Sequence, residues 1–251
     1  FWALVAGFML MPSLALARLE AGTAVGVGLR ASSTSVASID FCSKLTEVSR
    51  RIDSRLSNAG KNLTDKHSNR KNNAKEREEK RAKSLIELRV KQDAERSAIY
   101  AKLEARATTT AQSQAVAEFK SSVNAAIATR RAAVDSAISV YWKGVSDVLN
   151  NRQPAVLDAR QTYNTAMVAA LTTAKNECSG GTAPATVRAH FSASVKAAVT
   201  QFNTNRKAID KAGPQIEALA KTRNAAVKSA TSAFRATLEQ ARITLKVSLG
   251  A

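Results

Sequence analysis

From Asp40, whose carboxylate suits a helix N-cap, apolar residues recur at Leu45, Val48, Ile52, Leu56, Ala59 and Leu63. Steps of three and four residues place them on one helical face. Between Thr64 and Lys83 that stripe gives way to charges of both signs, including Lys75-Glu76-Arg77-Glu78-Glu79-Lys80-Arg81. Opposite charges three and four apart support a solvated helix, so the segment is expected to stay helical. A break between 60 and 84, marked by Gly60 and a capping-box pattern at Ser84 to Glu87, is the rival reading. Apolar periodicity returns at Leu85, Leu88, Ile99 and Leu103.

Thr108-Thr109-Thr110 predicts a turn near 108–110, because successive β-branched residues are poor in helix interiors and Thr109 to Gln112 reads as a capping box. A long stripe follows: Val116, Phe119, Val123, Ile127, Val134, Ile138, Tyr141, Val145 and Val148. Asn150-Asn151 and Pro154 predict an interruption, with helix resuming at Pro154 and running to about Glu177. Residues 179–185, with Gly180-Gly181 and Pro184, predict a loop. Over 186–249 two further stripes flank Gly213-Pro214, a stop-and-restart signal, and predict a second helical hairpin with its turn near 213–214. The fold class expected is all-α: a long antiparallel hairpin over 40–178 with the shorter hairpin packed alongside, an elongated bundle or coiled coil.

A turn at 110 would set residue n opposite residue 220 minus n. Cys42 and Cys178 satisfy that relation, so they are expected to meet at the open end of the hairpin as a disulfide. Two unrelated thiols are the alternative. The polar stretch 64–83 would then face apolar residues around Val140 to Val156, which requires a third layer to cover them.

Phe1 to Ala17 is uncharged and apolar and ends Ala15-Leu16-Ala17, the small-x-small pattern of secretory cleavage. Residues 1–17 are therefore expected to be a signal peptide lacking its basic n-region, and 18–39, rich in Gly, Ala, Ser and Thr, a flexible leader. If uncleaved, the apolar segment would be a membrane anchor. The Glu of a type IV prepilin start and the Cys of a lipoprotein are both missing from this segment.

Composition sharpens the picture. Of 251 residues 45% are hydrophobic but only 5% aromatic, which suits a helical bundle. The net charge of +18 must be solvated or meet a polyanion, with anionic envelope polymer, lipid and nucleic acid all fitting. Lys221, Lys228, Arg235 and Arg242 repeat every seven residues on one flank of the last stripe and form a candidate polyanion-binding ribbon. The blander reading is a solubilising rim whose aliphatic stems cover the seam. Arg70, Lys71, Lys75, Arg77, Lys80, Arg81 and Lys83 are mixed with acids and read as solvated surface.

No catalytic, cofactor-binding or metal-binding set emerges. His67 and His190 stand far apart, and Gly26-Val27-Gly28 lacks the third glycine of a phosphate loop. One weak internal echo relates Thr129-Arg130-Arg131-Ala132-Ala133-Val134-Asp135-Ser136-Ala137 to Thr222-Arg223-Asn224-Ala225-Ala226-Val227-Lys228-Ser229-Ala230, with Tyr141 and Phe234 equivalent further on.

Ile39-Asp40-Phe41-Cys42, Pro184-Ala185-Thr186-Val187-Arg188 and Gly213-Pro214-Gln215-Ile216-Glu217-Ala218-Leu219, set among Ala- and Lys-rich helices, resemble uncharacterised exported helical proteins of small uncultivated bacteria. That resemblance implies no activity. The chain is expected to be a non-enzymatic scaffold or adhesive protein of the cell envelope or surface, exported, without cofactors, binding anionic polymer. A holdase-type chaperone acting on client proteins and a nucleic-acid-binding protein are the alternatives. The first resembles Skp-type chaperones in being exported, basic and arm-like, and lacks the strand-forming stretches of their head domain. Oligomeric state stays open.

Overall fold

A computed structural model describes residues 40–249. The expected signal peptide 1–17 and the leader 18–39 lie outside the described residues. Four helices follow in order: α1 (Phe41–Glu104), α2 (Thr110–Ser179), α3 (Pro184–Ala208) and α4 (Ala212–Leu249). There is no strand among the described residues.

Local chemistry accounts for the ends. The Asp40 carboxylate accepts the Cys42 amide at 3.0 Å and starts α1. At α2 the Thr109 hydroxyl accepts the Gln112 amide while the Gln112 side chain accepts the Thr109 amide, so the capping box forms as read. Gly181, at φ 77°, supplies the left-handed residue that lets the chain leave α2. Pro184 then opens α3, where its missing amide proton costs nothing. α1 runs unbroken through 60–84, and Ser84 bonds back to the Lys80 carbonyl rather than capping a new helix.

α1 and α2 form the long antiparallel hairpin, each about 100 Å long. Cys42 and Cys178 are joined, with Cα atoms 5.7 Å apart. The same register recurs along the pair: Arg160 donates to the Leu56 carbonyl, Arg89 pairs with Asp135, Arg131 with Asp93, and Lys120 with Glu104. Gly60, not Ala59, faces this seam, and a Cβ there would come 2.9 Å from the Arg160 guanidinium.

Two expectations are corrected. First, α2 is continuous through Asn150, Asn151 and Pro154. Pro154 removes only the hydrogen bond to the Asn150 carbonyl, and both residues are exposed, so water can take the vacant acceptor. Pro154→Ala is expected to restore that bond and raise stability by up to about 3 kcal/mol, read from the midpoint of chemical denaturation. A loss of stability would show that the ring itself packs usefully.

Second, α3 and α4 do not fold back on each other as a hairpin. α3 lies antiparallel to the second half of α2, with Phe202 on Tyr163 and Val187 beside Leu171 and Ala174. α4 continues in the same direction along the first half, with Ala220 beside Tyr141 and Val145 and Phe234 beneath Arg130. The chain breaks at Ile209 and restarts at Ala212, and Arg152 of α2 ties the break down by donating to the Asp210 carbonyl at 3.1 Å. This end-to-end rod is the third layer that the apolar stripe of α2 requires. A hairpin would have left Val116 to Val145 bare, whereas α4 leaves Val116 and Val145 only 1% exposed.

Two clusters anchor the bundle. Leu45, Leu171, Ala174 and Val187 meet at the disulfide end, with the Phe41 and Phe191 rings packed there at 5.6 Å in a tilted pair. Tyr141, Trp142, Val145 and Ala220 meet midway, where Gly144 lets α4 approach closely, since a Cβ there would lie 2.7 Å from Leu219.

Candidate functional site

The α3–α4 rod concentrates the charge. Residues 184–249 contain eleven lysines and arginines against three carboxylates, Asp210, Glu217 and Glu239. α3 itself has no acid. Of the four ribbon residues, Lys221, Lys228 and Arg235 are exposed, and Lys221 is within 3.1 Å of Glu217. Arg242 departs from the expected ribbon: its side chain is half-buried and lies 3.2 Å from Glu239. It sits nearest the apolar seam in angle, which draws its aliphatic stem inward. In the basic group of α1, Arg81 likewise turns inward while Arg70, Lys71, Lys75, Arg77, Lys80 and Lys83 stay exposed.

The inward arginines form a second arrangement. Arg223 stacks on the Tyr141 ring at 4.5 Å, and Arg130 stacks on the Phe234 ring at 4.6 Å. These are the residues matched by the internal echo, arginine and aromatic eleven positions apart in each helix. Because α2 and α4 are antiparallel, each arginine reaches the other helix's ring, and the echo becomes a local two-fold pair of brackets. Sequence reading found the repeat but not its use, since the reciprocity depends on helix direction. Arg81 of α1 adds a third stack, 5.9 Å from the Trp142 ring, itself edge-on to Tyr141.

None of these three arginines meets a carboxylate. Arg223 is only 6% exposed, and its guanidinium donates to the Asn224 side chain alone. Burial pushes its pKa down, and Arg81 pushes further in the same direction against the opposing influence of Tyr141. Arg130 is lowered by burial, then by Arg131 and Arg89. No Cα of α1 comes within 8 Å of a Cα of α4, so long side chains alone bridge these helices.

Neighbouring arginines are neutralised. Arg131 and Arg96 both reach Asp93, at 2.5 and 2.7 Å, and Arg89 reaches Asp135 at 2.6 Å. The Arg131 hydrogen bond, assisted by Arg96 and opposed by partial burial, holds the Asp93 carboxyl down at about 2. A depressed carboxylate stabilises the fold above its unfolded pKa near 4 and loses that contribution as pH falls toward 2. The melting temperature is therefore expected to drop across pH 4 to 2, and Asp93→Asn to flatten that drop. An unchanged profile in the variant would refute the assignment.

His190 Nδ1 lies 2.9 Å from Glu177 beside the disulfide end, and His67 faces the seam with its pKa lowered by burial, then by Lys71 and Arg70. No group of three His, Cys, Asp or Glu residues converges among the described residues. No described helix is long and apolar enough to cross a membrane. No protein family, curated protein or solved structure matches this chain.

Proposed function

We propose that this chain is an exported, non-enzymatic scaffold or adhesive protein of the cell envelope that binds anionic polymer along its α3–α4 rod. The observation that carries this reading is the eleven-to-three excess of cations over carboxylates in a rod running the length of α2. Exposed acids to neutralise that charge internally are too few, so counterions or a polyanion must do so. Export rests on the leader pattern of residues 1–17, and a disulfide such as Cys42–Cys178 persists best in oxidising compartments.

The test is binding of the chain to isolated envelope polymer and to duplex DNA as ionic strength rises. Affinity for the polymer is expected to fall linearly in log–log form, with the DNA complex weaker at every salt concentration. Tighter binding to DNA would replace this reading with the nucleic-acid one, and no binding to either would end it. Holdase activity is the second reading, favoured by apolar side chains left more than half exposed at Ile86, Val90, Val140 and Val247. It requires suppression of aggregation of an unfolded client.

A further inference from the structure

The exposed ribbon is the obvious place for a polyanion to lie, yet its lysines are solvated and partly paired. The seam between α1 and α4 differs. Arg223 is buried and Arg81 and Arg130 partly so, each lies over an aromatic ring, and none of the three forms a salt bridge. A nearly buried guanidinium without an anionic partner has lost hydration that an incoming anion would offset. Arg81 lies over Trp142 and Arg223 over Tyr141, two rings whose centroids are 4.9 Å apart, so an oxyanion between the two guanidinium groups would relieve their like charge. The second bracket, at Arg130 and Phe234, is eleven residues along α2 and so about 17 Å away. Of the carboxylates near these arginines, Asp93 and Asp135 are committed to Arg131, Arg96 and Arg89, Glu79 pairs with Lys75 and Glu217 with Lys221, while Glu78 is exposed.

We infer that the seam between α1 and α4 is the specific binding site, in which oxyanions of one extended polyanion pair with Arg81 and Arg223 at one level and with Arg130 at the other. This rests on the polyanion-binding reading above. The rings restrict where each guanidinium can sit, and a guanidinium fork can meet phosphate or carboxylate oxygens two at a time, which the flexible ribbon lysines cannot do. The ribbon then supplies attraction at long range, and the seam supplies grip.

Trp142 reports on this directly, because Arg81 stacks on its ring. In the full chain with Trp2→Phe, inorganic polyphosphate and poly-L-glutamate are titrated separately against tryptophan emission at fixed salt. A saturable change with either probe is expected, and the probe that binds tells phosphate from carboxylate. Arg81→Gln with Arg130→Gln is expected to weaken binding about tenfold or more, and Lys228→Gln with Arg235→Gln only about twofold, the loss of two rim charges. Arg223→Lys, which keeps the charge and the fold but not the flat fork, is expected to weaken binding as well, with an unchanged melting temperature. If the ribbon variant loses binding and the seam variant keeps it, the inference is overturned while the polyanion reading survives. If the parent chain binds neither probe, both fall.

Discussion

Replacing Cys42 and Cys178 together with serine is expected to lower the unfolding free energy by about 4 to 5 kcal/mol, measured by denaturant titration. The bond spans 136 residues, so the reduced chain regains the closure entropy of a very long loop when it unfolds. In the native state the bond sits where help is needed, at the open end of two helices that would otherwise fray. Fraying there would expose Leu45, 4% exposed, and Val187, fully buried, together with the Phe41–Phe191 pair. The loss should therefore appear first as lost protection of amides at the start of α1 and the end of α2. A double variant within about 1 kcal/mol of the parent would show that the packing of α3 across both helices already closes that end.

Trp142→Ala is expected to cost about 3 to 5 kcal/mol, the range for removing a large aromatic from a core. The indole meets Tyr141 edge-on and lies under Arg81, and it shares its cluster with Ala220, against which Ile216 and Leu219 of α4 also pack. Without it the polar middle of α1 has little else to hold, since Ala74 is the only apolar residue of that stretch packed against the cluster. Trp142→Phe keeps most of the volume and is expected to cost less than about 1.5 kcal/mol. If alanine and phenylalanine cost the same, the ring volume is not what joins the layers.

The cysteine pairing was legible because a helical hairpin has a single register once its turn is located, and Thr109 to Gln112 located it through its own side chains. The stripes of α2 and α4 were legible for the same reason, since a 3.6-residue period needs no partner to be recognised. Pro154 misled because a missing amide proton is informative only about one hydrogen bond. Seventy residues of packing outweigh it at an exposed position. Gly213-Pro214 marked a real break nearby but not the direction the chain takes beyond it.

The amino-acid sequence by itself determined that these residues form amphipathic helices, where α1 and α2 begin, which face of each is apolar, and that Cys42 can meet Cys178. Those properties follow from neighbours within a turn or two and from one turn of known place. Only the tertiary structure decided that α4 runs on from α3 and that Arg130 and Arg223 change partners across α2 and α4. Local sequence carries no preference between folding back and continuing. The choice falls to whichever arrangement covers the long apolar stripe of α2, a quantity that exists only once three helices are side by side.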